Sequence, residues 1–213
     1  MTTVDAQLQK TDHTFIFYAE GATGFASVFL VLLFAPSKQI MVHRKQLRHF
    51  HEPGHLHEFR FSCYRRKPLL TNDDWREKLS RCVDAAGQHT EFDLVAFVFM
   101  PEHVHLLTFP RSSQPEFGKY LALIKQPFSK EIHQLLIRRQ SGLLPQLTVR
   151  ERPEKFCFRF WQEGAGYDRN IYSPPAIMAA IDDIHLSPVR RGLCWRAIDW
   201  KWSSACYDLG EPA

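Results

Sequence analysis

Leu94 to Met100 is an unbroken apolar run, too short for an ordinary helix and long enough for a strand. With no polar residue to face water, it reads as a strand buried on both faces. Pro101-Glu102 interrupts it, and His103 to Phe109 resumes as a second strand, so the pair predicts a hairpin. Such a hairpin needs apolar cover on both sides, and the rest of the chain supplies candidates. His57 to Cys63 alternates polar and apolar residues, as a strand does. Asn72 or Asp73 can cap a helix through Trp75, Leu79, Cys82 and Val83, with Gly87 near its end. Phe117 to Arg139 reads as helical, with Pro127 starting or kinking its second half. Gly142 to Lys155 is polar and reads as a loop. Ser173-Pro174-Pro175 starts a helix whose stripe is Ile177, Ile181 and Ile184, down to Leu186, with Pro188 closing it. The order predicts an α+β fold: an antiparallel sheet sandwiched by helices.

Composition bounds the rest. Hydrophobic residues are 45% and charged residues 23%, which excludes wholesale disorder. The formal charge of +4 permits a polyanionic partner without demonstrating one. Cys63, Cys82, Cys157, Cys194 and Cys206 are odd in number and form no CxxC. That argues for reduced thiols in a cytoplasmic protein, against a disulfide framework or zinc knuckle. The apolar run Phe25 to Ala35 falls short of the about 20 residues of a spanning helix. No basic region precedes it, so it is a poor secretory signal, and no membrane partner is expected. Met41 stands directly before the basic stretch His43 to His49 and reads as the natural start of translation. Residues 1–40 are then a poorly determined N-terminal extension, and residues 41–213 the functional domain.

The most informative stretch is Met100-Pro101-Glu102-His103-Val104-His105-Leu106-Leu107. On a strand, His103 and His105 project from one face, while Val104 and Leu106 point to the other. Two imidazoles so placed can hold a divalent metal, which can polarise a phosphodiester oxygen. Paired histidines are also common at structural or surface positions. His55-Leu56-His57 has the same form in a more polar setting and reads as exposed or as helping to bind phosphate.

Three stretches together resemble the single-tyrosine HUH transposases, specifically the REP-associated tyrosine transposases of the IS200-like family. They are residues 97–107, residues 160–170 (Phe-Trp-Gln-Glu-Gly-Ala-Gly-Tyr-Asp-Arg-Asn), and residues 184–193 (Ile-His-Leu-Ser-Pro-Val-Arg-Arg-Gly-Leu) followed by Asp199 to Ser204. Order and spacing match over roughly residues 46–208. The resemblance implies a ferredoxin-like HUH palm. It implies that the histidine pair and a polar residue on the late helix hold Mg²⁺ or Mn²⁺. A tyrosine one turn earlier attacks single-stranded DNA, leaving a phosphotyrosine link that the reverse reaction resolves. A phenol with a pKa of about 10 needs a metal and nearby bases to act as that nucleophile.

This chain departs at both chemical positions. The tyrosine position falls on Asp183 and the metal-binding asparagine position on Ser187, four residues apart on one helix face. A carboxylate cannot form the stable tyrosine-type link, and a serine hydroxyl is a weaker ligand than an amide. The surrounding Ile184, Leu186, Pro188, Val189, Arg191 and Gly192 remain. The expectation is a transposase-family protein impaired in catalysis, through recent inactivation or retention for DNA binding. Tyr167 is a spare nucleophile candidate, against its more ordinary use as a packing residue. Asp183 can alternatively join His103 and His105 as a third metal ligand, which would suit a metal-dependent phosphodiesterase.

DNA binding depends less on those positions. Arg65, Arg66, Lys67, Lys125, Arg190 and Arg191 supply cations, and Trp161, Trp200 and Trp202 are available to stack bases. The resemblance implies single-stranded or hairpin DNA as partner, with the protein monomeric or homodimeric. A non-catalytic hairpin-binding remnant or regulator is the competing reading.

Overall fold

The computed structural model describes the backbone of residues 8–11 and 14–17, and residues 54–208 apart from Ala165. The apolar run at 25–35, Met41 and the basic stretch at 43–49 lie outside the described residues. The chain divides into two compact units, Met1–Lys45 and Gln46–Ala213. In the first, β1 (Leu8–Thr11) pairs antiparallel with β2 (Thr14–Phe17).

The second unit runs β3 (Leu56–Ser62), α1 (Asp73–Thr90), β4 (Phe92–Phe99), β5 (His103–Pro110), α2 (Phe117–Arg138) and α3 (Leu143–Leu147). It continues with β6 (Thr148–Arg152), β7 (Lys155–Phe158), β8 (Tyr167–Ile171), α4 (Pro174–Arg190) and α5 (Ala205–Asp208). Four strands form an antiparallel sheet in the order β4-β5-β3-β8, and β6-β7 make a separate hairpin. One sheet face, with Phe59, Phe61, Phe99, Val104 and Leu106, buries against Leu79 and Val83 of α1 and Ile124, Phe128 and Ile132 of α2. The other face, with Ala96, Val98, Met100 and Leu107, meets Ala180 and Ile184 of α4. The expected sheet sandwiched by helices is therefore the observed architecture.

Local chemistry accounts for the main elements. Asn72 accepts the Trp75 backbone N–H at 3.2 Å and caps α1. Pro174 opens α4, where its missing N–H costs nothing. The hairpin β4-β5 has a bulge between Leu94 and Ala96, which puts Phe92 and Phe97 on the same face although they are an odd number of positions apart.

Several details differ from the sequence reading. Leu94 is 37% exposed: on the edge strand β4, Phe92 and the second half are buried, but Asp93 and Leu94 are open to water. Residues 142–155 are not a loop but α3, β6 and the turn to β7. Pro188 lies inside α4, which continues to Arg190. His57 is buried, not exposed: its Nδ1 lies 3.1 Å from Asp168 Oδ1 and its ring packs on Phe117.

The second and third sequence motifs hold the sheet margins. Phe160 and Trp161 are core residues, and Gln162 N–H donates to the Ser62 carbonyl, extending β3 beyond its end. Gly166 has φ +83°, and a Cβ there would stand 2.3 Å from the Arg60 carbonyl oxygen, so only glycine lets the chain cross β3. Ser204 Oγ accepts the Phe97 N–H and bonds the buried His185 Nε2 at 2.8 Å. The segment after α4 is thereby tied to both β4 and α4.

Phe128 has no exposed surface and contacts Phe160 and Trp161. Phe128→Ala should lower stability by about 3–5 kcal/mol in denaturant unfolding, through lost transfer energy plus the cavity left behind.

Candidate active site

The sheet register builds the site. Val98, His105, Arg60 and Tyr167 face one another in one row across all four strands. Beside it run Leu107, Glu58 and Arg169, and on the other side His103 opposite Ser62. All these side chains point to the α4 face, since alternate residues share a face. Toward one end of α4 the cover is apolar, through Ala180 and Ile184. Toward the other it is polar, and Asp183 and Ser187 overlie the histidine row. Between them lies a cleft of about 340 Å³, lined by Arg60, His103, His105, Asp183, Ser187 and Arg190 among others.

Glu58 was not foreseen from the sequence, yet its side chain is fully buried. Arg60 Nε donates to its Oε1 at 2.5 Å, and Arg169 Nη2 lies 2.7 Å from its Oε2, an ion pair without hydrogen-bond alignment. Arg60 also reaches upward, its Nη2 donating to Asp183 Oδ2 at 2.9 Å. Arg190 donates to Asp183 Oδ1 at 2.7 Å. Asp183 is thus held between a sheet arginine and one from its own helix. Ser187 Oγ donates to the Asp183 carbonyl at 2.6 Å, so its proton is committed to the helix backbone.

The two imidazoles differ. His103 Nδ1 lies 3.0 Å from Glu102 Oε1, which fixes the ring and leaves Nε2 for another partner. Glu102 in turn accepts from Arg191 at 2.7 Å and Arg66 at 3.4 Å. Burial pushes the Glu102 carboxyl up, but the Arg191 hydrogen bond and the neighbouring charges outweigh it and hold it low. Burial pushes His103 below its ordinary value, although Glu102 opposes this. His105 is driven down to about 3, first by burial and then by the charges of His103, Arg60 and Arg190. Both rings are therefore neutral near pH 7, the state that ligates metals. Their centroids are 4.7 Å apart.

Among the described residues His105 Nδ1 is buried without a hydrogen-bond partner. Glu58, His105 and Asp183 offer ligand atoms within 4.8 Å of one another. The neutral rings fit a divalent cation. The carboxylates fit it less well, because each is already bound by arginine.

The other sequence candidates separate. Arg66, Arg190 and Arg191 line the cleft. Arg65 is exposed and lies over the Tyr64 ring, and Lys67 bonds Gln146, so both lie outside it. Lys125 is mostly buried, with its ammonium over the Phe61 ring on the opposite sheet face. Tyr167 is on the site face, half exposed, with the Arg60 guanidinium 5.5 Å from its ring centre. Trp161 is buried, Trp200 donates to the Phe99 carbonyl and Trp202 to Asp73, so all three serve packing. Trp195, 94% exposed, is the tryptophan free to stack.

Residues 55–142 match the sequence model of the family described as "Transposase IS200 like". A solved structure of a REP-associated tyrosine transposase bound to a REP hairpin aligns with a TM-score of 0.59 at 20% identity. The alignment covers 76% of this chain and 83% of that one, and it shows a shared fold. A provisionally named transposase of Deinococcus radiodurans R1 aligns at a TM-score of 0.40 and 16% identity, over 65% of this chain and 93% of its own, too slight a likeness to inform the fold. No curated protein matches the chain. The fold is that of the IS200-like transposases, as the three motifs led one to expect. Among the described residues no helix is long and apolar enough to cross a membrane.

Burial lowers the Lys125 ammonium from 10.5 to about 8. The unfolded chain keeps this proton up to about 10.5 and the folded one only to about 8, so stability should rise with pH between those values. Lys125→Met should remove that rise and be the more stable protein at pH 7, as read from denaturant midpoints at pH 7 and pH 10.

Proposed function

We propose that this protein binds hairpin-forming single-stranded DNA as a transposase-family protein and forms no covalent link to it. The observation that carries this reading is the place of Asp183. It faces His105 across the cleft from the helix position where the resemblance puts the attacking tyrosine. A carboxylate held by Arg60 and Arg190 is no substitute for a phenol: its electron pairs are committed to two cations, and an acyl phosphate would be prone to hydrolysis. What the cleft retains is recognition chemistry. Arg60, Arg66, Arg190 and Arg191 converge on a space wide enough for a phosphodiester, and guanidinium forks suit phosphate oxygens.

His103 through Nε2 and His105 would hold Mg²⁺ or Mn²⁺, with Asp183 or Glu58 joining only after an arginine lets go. Such an ion would polarise a phosphodiester oxygen. The protein's own residues orient the strand and neutralise its backbone. This reading concerns residues 41–213, with residues 1–40 as an extension outside it.

A second reading is favoured by one observation, the approach of Glu58, His105 and Asp183 to within 4.8 Å. It is a metal-dependent phosphodiesterase in which Asp183 ligates the ion and water attacks. That enzyme would release cut DNA free of protein, and Asp183→Asn would abolish the release.

Incubation with a labelled hairpin oligonucleotide and Mn²⁺ separates these. The expected result is a salt-sensitive complex, with intact DNA and no protein–DNA band surviving denaturation. A surviving band would overturn the proposal and direct attention to Tyr167.

A further inference from the structure

We infer that Asp183 is a built-in counter-anion, occupying the position that a DNA phosphate takes when it enters the cleft and so restraining DNA binding. This deepens the DNA-binding reading and rests on it. Asp183 is the one carboxylate among the described residues lining the cleft, while four guanidiniums line it. Its two oxygens are split between two of them: Oδ2 takes Arg60 Nη2 at 2.9 Å and Oδ1 takes Arg190 Nη2 at 2.7 Å. Two anionic oxygens bridging two guanidiniums is the arrangement a phosphodiester would adopt there.

The geometry also holds the cations back. Arg190 folds two turns along its own helix, donating to the Asp183 carbonyl and reaching Ser187 Oγ at 3.5 Å. Arg60 is stretched between Glu58 below and Asp183 above. An incoming phosphate must therefore compete with an internal carboxylate already in place. Both arginines keep part of their surface open to water, with side chains 37% and 50% exposed, so exchange needs no rearrangement of the core. Glu58 is buried beneath and remains to anchor Arg60 when Asp183 lets go.

The counter-anion and the metal ligand are opposite roles for one side chain. A ligand's removal weakens the site for its ion. Removal of a counter-anion strengthens the site for the competing anion.

The test measures binding of a fluorescent hairpin-forming oligonucleotide across a series of NaCl concentrations, without metal. Wild type, Asp183→Asn, Asp183→Ser and the double variant Asp183→Asn with Arg190→Gln are compared. Asp183→Asn should bind roughly five- to tenfold tighter at low salt. Its log–log salt slope should be steeper by about 0.7 for each guanidinium released to the strand. Asp183→Ser should behave alike, which guards against a folding defect peculiar to one variant. The double variant should fall back toward wild type. If wild type binds and neither Asp183 variant binds tighter, the counter-anion role is wrong while the DNA-binding reading stands. If no variant binds DNA at all, both are wrong.

Discussion

Arg60 sits in the sheet with His105 on one side and Tyr167 on the other, and the organisation of the site depends on that register. A slip of one residue in β3 would exchange Arg60 for Phe59 or Phe61 and turn the charged side chains into the α1–α2 core. Register is held by the aromatic cluster on the opposite face, where Phe59 and Phe61 pack against Phe117, Tyr120 and Trp161. At the margin of the sheet Gly166 lets the chain pass directly over the Arg60 carbonyl. The apolar layer thus aims the polar one.

The cost of that arrangement is a buried charge. Glu58 has no exposed side-chain surface, and a buried carboxylate without partners would be strongly unfavourable. Arg60 and Arg169 offset the loss of water from opposite sides. The same arrangement explains the neutral imidazoles: burial and a surrounding set of arginines make a proton on His105 unfavourable. The site therefore combines neutral donors with guanidiniums, a mixture suited to holding a phosphate beside a cation.

Much of this was legible in the sequence, where periodicity carries information. The apolar run, its hairpin partner and the Ile177–Ile184 stripe led to the right sheet and helix because burial imposes those repeats. Strand spacing put His103 beside His105 and helix spacing put Asp183 beside Ser187, whereas the meeting of the two pairs was implied by the family resemblance alone. Glu58 and Arg60 escaped notice because alternating charges on a strand read as a solvent face, and only the cover of α4 makes them interior. β8 was missed since Tyr167-Asp168-Arg169-Asn170 has no apolar repeat: its charges pair with β3, not with water. The β6–β7 hairpin is largely exposed: β6 has no apolar repeat, and Phe156 of β7 is 63% exposed, so burial does not impose a pattern there. Lys125 looked like a DNA contact, yet a single charged residue in a helix does not reveal that its stem is buried.

The central claim is that His103, His105 and Asp183 share one cleft in which the rings are neutral donors. Paramagnetic broadening by Mn²⁺, followed on histidine ring protons by NMR at pH 7, reads this directly. The account predicts that His103 and His105 broaden together at the lowest Mn²⁺ concentrations, before His55, His57 and His185. Broadening of other histidines first, or of only one of the pair, would contradict it.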